Sequence, residues 1–401
     1  MDQAFRSAFN AAYTDEFYQS YLRDLEARLG CKIPFRVAET PFFIPPKLRD
    51  RLAKSATEIV EQISRPDLLA KMKQAIPARL DVPRMDHLPN CVQVDFAITR
   101  GPDGELEGKV VELQAFPSLY ALMVVQCEVM SEHLAKMPGL DKDWSLYFGG
   151  SRASFVPRLK NAILGGEDPE HVVLLDLDPP SQKTYPDFVA TKMLTGVDAL
   201  CPTDLVREGR RLFRKVDDRL VPVKRIYNRV VFDELENKKV PIPFEYTEDL
   251  DVTWCSHPNW YWTWSKYTLP YADHPAVPRA RLVSEMDPLP EDLSRYVLKP
   301  LFSFAGSGVK VDPTRADVDA IPAADRDKWL LQEKIVYEPG IKMPTGEGVK
   351  AEVRMMFLRA PGEEKPELVL NLVRVSRGAL LGVDQNKNLT WVGGTVGIWP
   401  G

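Results

Sequence analysis

The chain has 401 residues, 44% hydrophobic and 27% charged, ordinary proportions for a globular protein of two or three packed modules. A net charge of −5 provides no global basic field for nucleic acid. Five scattered cysteines without a CxxC, and five histidines without an HExxH, argue against a disulfide framework or a structural zinc site.

The first twenty residues lack a basic stretch followed by an apolar core, and no apolar run reaches about 18 residues. Neither a signal peptide nor a membrane span is expected, and a cytoplasmic location is the default. No membrane or nucleic-acid partner is expected; a homodimer is compatible with the sequence.

In chain order, residues 1–80 carry helical apolar spacing in SYLRDLEARL and LRDRLAKSATEIVEQI. CVQVDFAIT and KVVELQA alternate as half-buried strands around the turn RGPDGELEG, and residues 117–136 return to helix. HVVLLDLDPP reads as a buried parallel strand ending at a loop, with FVATKML a helix and DALCPTDL a further strand. RYVLKPLFSFAGSGVKV predicts strand, Gly-rich turn, strand. KWLLQEKIV, VKAEVRMMFLRA and ELVLNLVRVSRGALL predict three more strands, before a glycine-rich end, WVGGTVGIWPG. The expected modules are 1–145 (helices plus hairpin), 146–255 (a small open α/β unit) and 256–401, a mixture of α+β and α/β.

The hairpin carries the first candidate site. With Asp103-Gly104 as a two-residue loop, Asp95 stands opposite Glu112 and Gln93 opposite Gln114, all on one face. Val92, Val94, Phe96, Val111, Leu113 and Ala115 then fill the other face. Opposed side chains have Cβ atoms about 4.5–5.5 Å apart, so two acids there repel unless a cation lies between them. Mg²⁺ takes one or two carboxylates plus phosphates, and would suit the pair. A merely hydrated polar face is the plain alternative.

Further along, Lys299 lies on a strand before FAGSG, where Ser303, Gly306, Ser307 and Gly308 offer backbone N–H groups to phosphate. Gln332 and Glu333 end a strand whose edge, with Lys334 and Val336, could read an adenine and a ribose. Arg354, Arg374 and Arg377 lie on strands that could face a cleft and neutralise phosphoryl oxygens. Edge strands and exposed strand faces carry such residues routinely as well. On the substrate side, DLDPPSQKTYPDF places Asp176, Asp178, Gln182, Lys183 and Thr184 in a loop after a buried strand. KRIYNRVVFDE groups Arg225, Asn228 and Arg229, which suits a carboxylate.

Together these pieces resemble the ATP-grasp superfamily. Ser265-Lys266-Tyr267 with HPAVPRARLV looks like its first-lysine segment, Lys299 with FAGSG like its second, and Gln332-Glu333-Lys334-Ile335-Val336 like its adenine hinge. The metal hairpin, VDF…VVELQAFPS, precedes them all. That order is similar to the circularly permuted group that includes glutathionylspermidine synthase-like proteins, so the resemblance implies a circularly permuted ATP-grasp fold. It also implies an ADP-forming carboxylate–amine (or thiol) ligase working through an acyl phosphate. Lys266 and Lys299 would hold ATP, and Asp95, Glu112 and Gln114 would hold Mg²⁺, with Mn²⁺ an alternative. Arg354 or Arg374 would meet the transferred group. The substrates implied are a carboxylate and an amine, amino acids or short peptides. Gln114 stands where the family has Asn, and Gln93 where many members carry Arg. These two glutamines favour a non-catalytic nucleotide-binding protein as one alternative, and a phosphotransferase on the same nucleotide clamp is another.

Overall fold

Helical spacing in the first third forms α1 (Gln3–Ala12), α2 (Asp15–Leu29) and α3 (Pro46–Ile63). Asp2 and Thr14 cap α1 and α2 by accepting backbone N–H groups, and α2 stops at Gly30 in the left-handed region. In α3 the buried positions Leu48, Leu52, Ala56, Ile59 and Ile63 form one stripe, and Pro46 sits in the first turn, where its missing N–H is harmless. The computed structural model describes residues 2–303, 307–378, 386 and 389–401. Among these, no helix is long and apolar enough to cross a membrane.

The alternating segments form a hairpin of β1 (Cys91–Arg100) and β2 (Leu106–Gln114), followed by α4 (Tyr120–Leu134). The middle third holds α5 (Arg152–Leu164), β3 (Val172–Leu175), α6 (Tyr185–Thr195), β4 (Asp198–Leu200), β5 (Arg225–Asn228) and β6 (Thr253–Cys255). Its strands form a parallel sheet in the order β6-β5-β3-β4. A parallel sheet needs crossover connections, and α6 supplies the one between β3 and β4.

A second, antiparallel sheet follows: β7 (Ala280–Leu282), β8 (Tyr296–Pro300), β9 (Lys310–Val311) and β10 (Trp329–Glu333), ordered β7-β10-β8-β9. The chain then returns to the hairpin. Strands β11 (Gly348–Leu358), β12 (Glu367–Ser376) and β13 (Gly393–Thr395) complete an antiparallel sheet ordered β13-β12-β11-β1-β2, with Ile341–Lys342 pairing β11. Residues more than 200 positions apart thus share one sheet. Its apolar face carries Val92, Val94, Phe96, Leu113, Val353, Met355 and Val373, all buried in the main core. Helix α3 packs so close to this hairpin that a Cβ on Gly108 would meet Leu52 Cδ2 at 2.5 Å.

The hairpin departs from expectation in two ways that offset one another. Its turn is longer than Asp103-Gly104, with the last rung at Arg100↔Leu106 and Gly101 N–H donating to Glu105 O at 2.8 Å. The register then slips by one between Asp95↔Glu112 and Phe96↔Val110, leaving Val111 as a bulged residue. The slip restores the expected opposition of Asp95 with Glu112 and Gln93 with Gln114. It also corrects the core assignment. Val110 is fully buried, while Val111 is only partly so.

The bulge makes a stability prediction. Val110→Ala should destabilise the fold by about 2 kcal/mol, for two buried methyl groups plus the cavity they leave. Val111→Ala should lose less than about half of that, because its side chain is outside the core. Urea denaturation of both variants checks the bulge, and equal losses would place it elsewhere.

Candidate active site

Side-chain alternation and register set the site. Residues Gln93 and Asp95 of β1, Glu112 and Gln114 of β2, Glu352 and Arg354 of β11 and Arg374 of β12 share the face opposite the core. Arg354 pairs directly with Asp95, which pairs directly with Glu112, while Arg374 pairs with Glu352. One row across the sheet therefore reads cation, acid, acid.

Asp95 is completely buried. Arg354 grips it bidentately, Nε to Oδ1 at 2.6 Å and Nη2 to Oδ2 at 2.7 Å, and Arg374 Nη2 adds a third bond to Oδ2 at 2.5 Å. Burial pushes the Asp95 carboxyl up, but Arg354 and Arg374 outweigh it and hold it below the usual aspartate range. Glu352, also buried, pairs with Arg374 and accepts from Tyr337 Oη at 3.0 Å. Burial outweighs Arg374 there and raises the Glu352 carboxyl.

Two lysines approach from the opposite side. Lys299 of β8 donates to Val111 O at 2.9 Å and to Gln332 Oε1 at 2.5 Å, while Gln332 Nε2 donates to Val110 O at 3.0 Å. The bulged edge of β2 is thus where the two antiparallel sheets meet. Burial lowers the Lys299 ammonium to about 8, and Lys266 nearby adds to the shift. Lys266 donates to Ser303 O at 2.8 Å and lies 3.6 Å from Glu112 Oε2.

A cavity of about 740 Å³ opens from this cluster toward the parallel sheet. Glu112, Gln114, Ser303, Arg354 and Arg374 line one end, and Asp176, Gln182, Lys183, Thr184 and Arg229 the other. Asp176 and Arg229 follow the C-terminal ends of the neighbouring strands β3 and β5, the usual ligand position in open α/β sheets. Asp176 is 4% exposed, and Leu177 N–H donates to its Oδ1 at 2.8 Å. Burial raises its carboxyl to about 7, against the pull of Arg229.

The expected residues separate accordingly. The structure brings together Asp95, Glu112, Gln114, Arg354, Arg374, Lys266, Lys299 and Ser303, with Gln332 beside them and Lys183 and Thr184 across the cavity. Arg229 lines the cavity, but its guanidinium is held by Asp187 at 3.0 Å and stacked by Phe116 and Phe188. Arg225 does not reach the cavity. It donates to Ile163 O at 2.9 Å and Ala162 O at 3.0 Å, satisfying carbonyls at the end of α5. Asn228 is equally internal, between Val230 O and the Tyr246 hydroxyl. Arg377 pairs with Glu347 at 2.8 Å and does not line the cavity.

On the expected hinge, Glu333 N–H donates to Arg279 O, Lys334 pairs with Asp312, and Val336 is 80% exposed. Ser307 is exposed, Gly308 takes φ +73°, and Gly306 lies outside the described residues. The aromatic segment around His257 and Asn259 is core. Asn259 accepts from Val82 N–H and donates to Asp81.

Three site residues were missed. Glu352 had a visible signal, since it stands two positions before Arg354 on the same strand and shares its face. Phe35 and Arg36, which line the cavity beside Gly393 and Gly394, had none.

The expected Mg²⁺ ligands are engaged by other side chains of the chain in this structure. Both Asp95 oxygens are taken by arginines. The Gln114 amide is engaged by Gln93 Oε1 at 2.7 Å and lies 3.2 Å from the terminal nitrogens of Arg354. Among the described residues, no group of three His, Cys, Asp or Glu side chains is placed to hold a metal ion.

No protein-family model matches this sequence, and no curated protein matches it. Among solved structures, a glutathione synthetase-like effector from Globodera pallida, determined in its apo form, aligns with a TM-score of 0.55. The alignment covers 90% of this chain and 93% of that one at 14% identity. At that identity the likeness is one of fold.

Asp176 supplies a pH prediction. Its folded carboxyl titrates near 7 instead of the ordinary 3.8, so between those values the folded chain binds more protons than the unfolded one. Stability from this group is therefore present below 3.8 and lost as pH rises through 7. Asp176→Asn should melt progressively higher than the parent from pH 5 to pH 8. A gap that does not widen with pH would show that Asp176 titrates normally.

Proposed function

We propose that this chain is an ATP-dependent carboxylate–amine ligase of the ATP-grasp type, ADP-forming. One observation carries the reading: two buried lysines, Lys266 and Lys299, hold mainly neutral carbonyl acceptors, and Lys266 contacts Ser303 and Glu112, which line the large cavity. Ammonium groups bond more strongly to charged oxygens than to carbonyls, so a polyphosphate would displace Ser303 O and Val111 O as their acceptors. With Arg354 and Arg374, four cations face the three carboxylates of Asp95, Glu112 and Glu352, leaving one positive charge over. The shared fold with a glutathione synthetase-like protein points the same way.

ATP, when bound, would supply the phosphoryl group that turns a carboxylate into a substrate for an amine. The chain's own part is positioning and charge neutralisation. Lys266 and Lys299 would hold phosphate oxygens, and Arg374 would face the carboxylate end of the cavity. At the far end Asp176 would attract the amine, with a carboxyl able to take its proton near neutral pH. Lys183 and Thr184 would orient the same partner. A cavity with acid and base at both ends suits amino acids or short peptides. A second reading, nucleotide binding without turnover, is favoured by the arginines that occupy Asp95.

A screen of amino-acid and peptide pairs for phosphate release with ATP tests both readings. The ligase reading expects release that depends on both partners. It also expects Lys299→Met to lower kcat/KM by about two to three orders of magnitude, as loss of a preorganised cation does. ATP binding without release from any pair would select the second reading, and absence of ATP binding would remove both.

A further inference from the structure

The cation between the opposed acids is a protein side chain. Arg354 Nη2 lies 2.7 Å from Asp95 Oδ2 and 4.0 Å from Glu112 Oε1, so its guanidinium occupies the bridging position. We propose that the cleft binds a phosphate-bearing ligand without a divalent cation, Arg354 and Arg374 standing where a metal would join Asp95 to Glu112. This rests on the nucleotide reading and goes beyond it.

Three observations support it. A metal drawn to Asp95 would have to break a bidentate pair at a fully buried carboxylate. It would also strip Arg354 of its bidentate partner and set both guanidinium groups beside a dication, an unfavourable outcome for buried charge. The second acid, Glu112, already has Lys266 at 3.6 Å. Arg374 remains the donor with reach. Its side chain is 35% exposed on the cavity side, and its Nε is buried without a hydrogen-bond partner among the described residues. A guanidinium offers paired donors to phosphate oxygens in a fixed fork, and Asp95 and Glu352 keep that fork aimed.

The test is calorimetric titration of ADP and of ATP into the full chain, in EDTA and again in MgCl₂. The expected dissociation constants agree within about threefold, a difference smaller than one hydrogen bond is worth. Binding seen only with Mg²⁺, or more than about tenfold tighter with it, overturns the proposal and leaves the nucleotide reading standing. No binding in either buffer overturns both. Arg374→Gln should weaken binding about tenfold or more in EDTA and in Mg²⁺ alike, as loss of a charge-assisted bond to phosphate does. A loss confined to the Mg²⁺ titration would contradict the proposal. The unmodified chain decides the main question whether or not that variant folds.

Discussion

The guanidinium of Arg354 between Asp95 and Glu112 is the constraint on which the cleft depends. Burying Asp95 completely is tolerable only because three donors meet its two oxygens. The same need fixes register. Arg354 must stand opposite Asp95 across β11 and β1, and a slip of one residue would send it into the apolar core. Arg374 and Glu352 follow one rung further along, each neutralising what the other leaves. Such a network contributes little net stability against an apolar replacement, yet loss of one member strands the rest. It is better understood as a device that specifies one arrangement of charges.

The bulge at Val111 links this network to the second sheet. A regular hairpin would keep the β2 edge in one repeating pattern of carbonyls. The extra residue places the carbonyls of Val110 and Val111 side by side on that edge, where Gln332 and Lys299 find them. The edge is also covered by backbone bonds from Val110 N–H to Ala276 O and from Ala115 N–H to Trp264 O. The exposed edge that a sheet must normally protect becomes the seam between two sheets. The lysine that seals it is the one whose ammonium is most perturbed by burial.

Much of this was legible in the sequence, and the failures have physical causes. Strand patterning and turn residues located strands in each of the three sheets around the site, but not the small sheets formed by Phe42–Phe43 and by residues 206–223. The pairing of Asp95 with Glu112 was found through a turn that is not the actual one. A longer loop and a bulge cancel, and neither leaves a signature in the residues of the hairpin. Two opposed acids announced a cation, but not which one. A metal and an arginine on the adjacent strand satisfy them equally, and Arg354 lies 259 positions from Asp95. Arg225 failed for a related reason. Five donors on a strand end suit a carboxylate ligand or the carbonyls of an arriving helix, and only the position of α5 distinguishes them.

The cavity gathers its walls from every part of the chain, which ties its contents to the assembly of the whole. Asp187 of α6 accepts from Leu119 N–H and Leu122 N–H at the start of α4, and from Arg229 after β5, each at 3.0 Å. One buried carboxylate thus fixes the loop after the metal-like hairpin against the parallel sheet. On the opposite wall Gly393 takes φ +120°, and a Cβ there would lie 2.1 Å from Arg36 O. That contact lets the N-terminal segment run against β13 and place Arg36 at the cavity. A ligand touching Arg374, Asp176 and Arg36 would therefore bear on two sheets and the N-terminal segment at once. Its binding free energy would add to the cohesion that the shared apolar core already gives these modules.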